Sequence, residues 1–409
     1  MIKETLGPDE AWETIKLLVQ PLEAERMRVV KSWRRTLAQD VVSPTDLPQE
    51  DRALKDGYAV GPPVFETGEF YIRTFPHSKN PSSMALGAGE ALKVRTGAPL
   101  PQGTWAVMAR ECVEEDSSAS KIRVAKGFLE EGINIGRRGH LARKGDLLLG
   151  AGEVLGPGEI ALLSSAGIAQ VMVFKQPLVV IIPTGTELAA PGDSRKRYGP
   201  GQSFVSHVWY LAWRVREEGG IPKVFHPVPD VAKRLRKSLE LAARSAQLIV
   251  TTGGTGGSEM DLVGGTILSM GAKEIFRYPK IRPGRTISAF LLEGVPVICL
   301  PGGAGGVGVG CELLVVPCIK RLQGRRLEGP RWVECYLANG ITSRGEAYRF
   351  VEVRLEIKEG LLLAHPVQDA CSKGNISPLL GHGFVELPPG RRSFRKGEVG
   401  RLLLRGSAL

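Results

Sequence analysis

The stretch Thr251-Thr252-Gly253-Gly254-Thr255-Gly256-Gly257-Ser258-Glu259-Met260-Asp261 lies between the apolar run Leu248-Ile249-Val250 and the helix-like DLVGGTILSM. Glycines placed there let backbone N–H groups approach an anion at a helix N-terminus, which is how a chain cradles phosphate. The spacing is neither a Walker A loop, which ends in GK[ST], nor the GxGxxG of a dinucleotide fold. A tight turn that needs positive φ and binds nothing is the competing reading of any isolated glycine-rich loop. Two carboxylates favour a site. Glu259 and Asp261 beside such a cradle would repel a phosphate unless a divalent cation lay between them, and Mg²⁺ shares hard oxygen ligands with phosphates. The loop therefore points to a magnesium-dependent phosphoester or pyrophosphate site. Asp261 is also placed to cap the helix that follows.

The elements around the loop must position it. Residues 177–324 alternate strand-length apolar runs (PLVVIIP, IPKVF, AQLIV, KEIFRY, VPVICL) with helix-length amphipathic segments (FVSHVWYLAWRVREEGG, VAKRLRKSLELAARSA), which predicts a mostly parallel sheet covered on both faces. Ligands bind such sheets outside the carboxyl ends of the strands. Three loops leave those ends, at 183–187, 251–261 and 300–306. They supply Thr184, Gly185 and Glu187; Gly253, Gly254, Thr255, Gly256 and Ser258; and Pro301, Gly302 and Gly303 as candidate binding residues. Arg282 and Arg285 in KIRPGR follow another strand and offer planar donors to oxyanions; each taken singly reads better as a surface salt bridge, but together with Glu187 at the carboxyl ends of one sheet they favour a site.

Upstream, residues 9–19 and 21–30 read as helix-like, with a strand signal at Ala38 to Val42 before Ser43-Pro44. Residues 46–138 read as a β-rich insertion of short strands and turns, flanked by a mixed N-terminal domain made of 1–45 and 139–176. After Gly324, residues 325–409 predict a small C-terminal β domain with a strand from Tyr348 to Ile357 and a turn at Lys358 to Gly360. The 409 residues fit several domains, and no apolar run approaches the ~18 residues that would span a bilayer. The acidic N-terminal stretch does not read as an export signal, so a cytoplasmic protein is expected. Six cysteines form no CxxC pair and are not interleaved with histidine, which argues against zinc knuckles and disulfide frameworks. The net charge of +11 suits an anionic partner, but the basic residues are dispersed and lack aromatic interleaving, so neither nucleic acid nor a membrane surface is expected.

These segments resemble, in order along nearly the whole chain, those of the molybdopterin molybdenumtransferases (MoeA and the gephyrin E domain). Asp56-Gly57-Tyr58-Ala59-Val60 is similar to the end of DNSAMDGYAV, Arg95-Thr96-Gly97-Ala98-Pro99 to MTGAPVP, and NIGRRG at 134–139 to NIRRRGED. PTGTEL resembles STGDEL, TTGGTGGSEMD resembles SSGGVSxGExD, IRPGR resembles IKPGKP, and LPGG resembles LPGNP. The resemblance implies a multidomain α/β plus β protein with a central α/β molybdopterin-binding domain, a β-rich insert and a small C-terminal β-barrel. It further implies insertion of molybdate into adenylylated molybdopterin with release of AMP, assisted by Mg²⁺. The implied assembly is a homodimer whose site is shared between the α/β domain of one subunit and the DGYA-bearing domain of the other, with the N-terminal domain contributing to dimerisation. By position it assigns catalytic roles to Asp56, Thr96, Glu187, Asp230 and Asp261, substrate contacts that include Pro301 and Ser372, and metal contacts to Glu187, Glu259 and Asp261.

The chain also departs from the pattern. Glu50 to Lys55 replace DNSAM, His140-Leu141 replace an acidic pair, Gly303-Ala304 replace Asn-Pro, and Pro200 to Ser203 stand where a DTN-like segment is expected. Arg282 and Arg285 replace lysines, and Tyr278 stands where the family has another. Arginine keeps oxyanion recognition but stays protonated, so these changes preserve binding better than proton transfer. A non-catalytic or tungstate-selective paralogue is the alternative reading.

Overall fold

The computed structural model describes every residue except 1–5, 65–67, 75–80, 126, 190–202, 205, 257–260, 343–344, 368–378, 392 and 407–409. Helix α1 (Pro8–Lys16) starts at a proline in its first turn, and the Glu10 carboxylate accepts the Gly7 amide at 2.9 Å. Its apolar side, Ala11, Trp12 and Ile15, joins the core of the α/β domain rather than that of the N-terminal module. The stretch 21–30 is not an α-helix; only a short 3₁₀ turn, Val29–Lys31, lies at its end. Ala24–Arg28 forms a strand antiparallel to Gln170–Phe174, because a partner some 150 residues away satisfies its backbone and outweighs local propensity.

The β-rich insertion is a six-stranded sheet in the order Ala106–Ala109, Gly57–Val60, Glu90–Val94, Glu69–Ile72, Lys121–Val124, Val113–Asp116. Gly57 starts its strand at φ +154°, and a Cβ there would lie 1.9 Å from the Met108 carbonyl oxygen. Only glycine fits so close to the neighbouring strand.

The α/β domain runs β1 (Leu178–Pro183), α2 (His207–Glu217), β2 (Ile221–Val224), α3 (Ala232–Ala243), β3 (Leu248–Thr252), α4 (Leu262–Ser269), β4 (Lys273–Arg277), β5 (Ser288–Leu292), β6 (Val295–Leu300) and α5 (Ala304–Gly310). Alternate strand residues serve opposite faces. Val179, Ile181, Leu248 and Val250 pack with α1 and α2, whereas Val180, Ile182 and Ile249 pack with α3 and α4. The sheet order is β2-β1-β3-β6-β5-β4. The expectation of a mostly parallel sheet holds: β2, β1, β3 and β6 pair in parallel, and β5 alone runs the opposite way, antiparallel to both β6 and β4. The reason is the two-residue link Glu293-Gly294, with φ of +50° and +82°, which makes a tight hairpin between β5 and β6. A parallel return would need a crossover of about a dozen residues or more.

The C-terminal strands Tyr348–Lys358, Leu361–Pro366, Trp332–Leu337, Val399–Leu404 and Gly383–Leu387 pair in that order, and Gly383–Leu387 pairs back on Tyr348–Lys358 to close a barrel. Ile281–Arg282, between β4 and β5, adds a short parallel strand to it, with Arg282 opposite Arg349.

Candidate functional site

The ends of β1, β3 and β6 place three loops side by side. The Thr184 amide donates to the Thr252 carbonyl at 2.8 Å, and the Gly253 amide to the Leu300 carbonyl at 3.1 Å. Gly253 sits at φ +87°, and a Cβ would fall 2.3 Å from the Thr184 carbonyl oxygen, so the loops can approach this closely only at glycine. The result is an open cleft of about 530 Å³. Thr184, Gly185, Gly253, Gly254, Thr255, Gly256, Pro301 and Gly302 line it, together with Glu187, Asp230, His207 and Thr286. The three loops singled out in the sequence therefore share one cleft.

Its carboxylates differ in their commitments. Glu187 is exposed, and although its backbone carbonyl accepts the Ser203 amide at 3.0 Å, its carboxylate has no hydrogen bond or ion pair among the described residues. Asp230 accepts the amide and hydroxyl of Thr186 at 3.0 and 3.2 Å through one oxygen. Asp261 is buried and fully engaged. One oxygen caps α4 by accepting the Gly264 amide at 2.8 Å, and the other meets Arg277 at 2.6 Å and the Tyr278 hydroxyl at 3.2 Å. Tyr278 adopts φ +55°, an uncommon conformation for a bulky residue. Burial and the Asp261 charge raise the pKa of its hydroxyl, which keeps it a donor. Asp261 lines an adjoining cavity of about 510 Å³ with Asp230, Thr266 and Ser269.

His207, the first residue of α2, is 8% exposed, and its Nε2 is buried without a hydrogen-bond partner among the described residues. Burial pushes its pKa below 6.5, so the ring is neutral at pH 7.

The remaining predicted residues lie elsewhere. Arg282 lines a separate cavity of about 390 Å³ with Pro283, Thr342 and Arg349. Arg285 is exposed and Gly303 precedes the first turn of α5; neither lines the main cleft. Asp56 and Thr96 pair with each other in the insertion: the Thr96 amide and hydroxyl donate to one Asp56 oxygen at 2.7 and 2.9 Å, and these bonds hold the carboxyl below its usual range. They do not line the cleft of their own chain. Ser258, Glu259 and Ser372 fall outside the described residues.

Comparison with known proteins bears on what this arrangement is. Residues 6–167 match the family described as "MoeA N-terminal region (domain I and II)", and residues 180–321 match the "Probable molybdopterin binding domain". A molybdopterin molybdenumtransferase of Bacillus subtilis (strain 168) is 28% identical over 406 residues, spanning 97% of this chain and 93% of its own. One from Staphylococcus aureus (strain COL) is 27% identical over 415 residues, spanning 99% and 97%. A crystal structure of a molybdopterin biosynthesis MoeA protein from Pyrococcus horikosii matches with a TM-score of 0.79 at 29% identity, covering 98% of this chain and 99% of that one. The chain belongs to the molybdopterin molybdenumtransferase family.

Within this member of the family, several site-building residues were not evident from sequence. Thr186 holds Asp230, Arg277 and Tyr278 hold Asp261, and Thr286 meets Thr255 at 3.1 Å between hydroxyl oxygens. His207 carried no motif. Its only sequence signal was its place at the start of an amphipathic segment following a strand end.

Proposed function

We propose that the protein acts in molybdenum cofactor biosynthesis, inserting molybdate into adenylylated molybdopterin with release of AMP. The observation that carries this reading is the convergence of the PTGTE, TTGGTG and LPG segments on one cleft inside a domain of the molybdopterin-binding type. Backbone amides of the glycine loop would hold the pyrophosphate of the adenylylated pterin, a group for which directional N–H donors are well suited.

The oxyanion would bind at Arg282 and Arg349. Like charges directly opposite on paired strands repel, and a tetrahedral dianion between two guanidinium groups relieves that repulsion while accepting their hydrogen bonds. Arginine in place of lysine suits this recognition role.

A divalent cation is implied by the family, and the donor set tests its fit. The carboxylate of Glu187, which is uncommitted, and that of Asp230, which has one oxygen without a hydrogen bond among the described residues, both line the cleft and are the hard oxygens that Mg²⁺ takes with substrate phosphates. Asp261 does not fit, because Arg277 already neutralises it. Among the described residues no group of three or more His, Cys, Asp or Glu is placed to hold a metal, so substrate oxygens would complete the shell. When bound there, Mg²⁺ would offset the phosphate charge. Asp56 and Thr96 would reach the cleft from a second copy of the chain, giving a cytoplasmic homodimer with a shared site.

The test is incubation of the purified protein with adenylylated molybdopterin, Mg²⁺ and either molybdate or tungstate, following AMP. Mg²⁺-dependent release with molybdate is expected. Release with tungstate alone would reassign the oxyanion, and tight binding without release would make the protein a carrier.

A further inference from the structure

We infer that His207 is a substrate-contacting residue whose Nε2 hydrogen-bonds a phosphate oxygen of the anion held in the cleft. This rests on reading the cleft as a site for a phosphorylated pterin, but it specifies a contact that reading does not require.

Three observations meet at this residue. First, it lines the cleft across which the glycine-rich loop of β3 lies. Second, it is more than nine-tenths buried, yet Nε2 has no hydrogen-bond partner among the described residues. A buried polar atom without a partner destabilises the empty protein. The cost is recovered only when something in the cleft supplies the missing partner. Third, His207 is the first residue of an 11-residue helix, so the positive end of that helix is at the cleft wall.

The three favour an anion. Helix-terminal amides and the amides of the glycine loop attract a phosphate from two sides, and Nε2–H adds one directional donor within a dry wall. A flat pterin ring would call instead for an aromatic or aliphatic platform, which His207 lacks space to offer at 8% exposure. Because burial keeps the imidazole neutral near pH 7, Nε2 can donate without adding a permanent charge to the cleft. Leucine at this position would fill the space and remove the unpaired nitrogen, whereas glutamine would keep a donor.

The experiment uses the full chain and two probes, inorganic pyrophosphate and molybdopterin, with wild type, His207→Leu and His207→Gln compared by calorimetry and thermal melting. The expected result is an unchanged or higher Tm in His207→Leu together with at least about tenfold weaker pyrophosphate binding, with part of the affinity restored in His207→Gln. In ¹⁵N-histidine-labelled wild type, the resonance absent from His207→Leu should shift on pyrophosphate titration. Undiminished affinity in His207→Leu, a resonance that does not move, or no pyrophosphate binding by the wild type would each overturn the inference. A His207-dependent pyrophosphate site that takes no molybdopterin would leave the inference standing and overturn the pterin reading instead.

Discussion

Replacing Asp261 by asparagine separates two roles that share one side chain. Asparagine caps a helix nearly as well as aspartate, so from the cap alone the substitution should be nearly silent. The structure predicts otherwise, because asparagine cannot neutralise Arg277, whose guanidinium lies 2.6 Å from the carboxylate. Removing one partner of a buried ion pair costs about 3–5 kcal/mol. The Asp261 side chain is 5% exposed, but that of Arg277 is 24% exposed and keeps Glu274 at 3.8 Å, so about 2 kcal/mol is the expected loss for Asp261→Asn. Asp261→Ala also forfeits the bond from the Gly264 amide and should lose about 1 kcal/mol more. Urea denaturation of Asp261→Asn, Arg277→Met and the double variant measures the pair directly, with a coupling energy of about 1–2 kcal/mol expected. In parallel, Mn²⁺ affinity should be unchanged in Asp261→Asn and fall about tenfold in Glu187→Gln, which removes an uncommitted ligand. Additive destabilisation, or an Asp261→Asn variant that matches wild type in stability but loses Mn²⁺, would refute this reasoning.

Two other outcomes are expected. If Asp56 and Thr96 complete the cleft of a second copy, inactive Asp56→Asn and Glu187→Gln proteins mixed under subunit exchange should regain activity toward about a quarter of wild type, since half the dimers then carry one intact site; no recovery despite exchange would place all the residues in one chain's site. The second concerns pH. Burial lowers the folded-state pKa of His207 below 6.5, so the unfolded chain takes up the proton first as pH falls. The ring therefore costs no protonation free energy above pH 6.5, stability declines below it, and urea midpoints of His207→Leu should decline less steeply than wild type from pH 7 to 5.

Much of the site was legible in the sequence because its signals are local. An apolar strand followed by TTGGTGG announces both a buried strand and a loop whose backbone must come close to something, and Gly253 does meet Thr184 in the way only glycine allows. The helix at 21–30 was misread for the converse reason. Its backbone is satisfied by Gln170–Phe174, and no local pattern encodes a partner that distant.

Periodicity in the chain thus determined which runs are buried strands, which loops leave their carboxyl ends and where the family motifs fall. It could not determine which charge meets which. Glu187, Asp230 and Asp261 are equivalent as letters, yet β4 lies on the antiparallel edge, delivers Arg277 to Asp261 and leaves Glu187 free. Likewise, the pairing of Ile281–Arg282 with the barrel sets Arg282 beside Arg349, and the start of α2 turns His207 into the cleft. Sequence spacing encodes the face a residue presents along its own element. The partner on the opposite side depends on sheet order and on contacts between distant segments, and those exist only once the chain has folded.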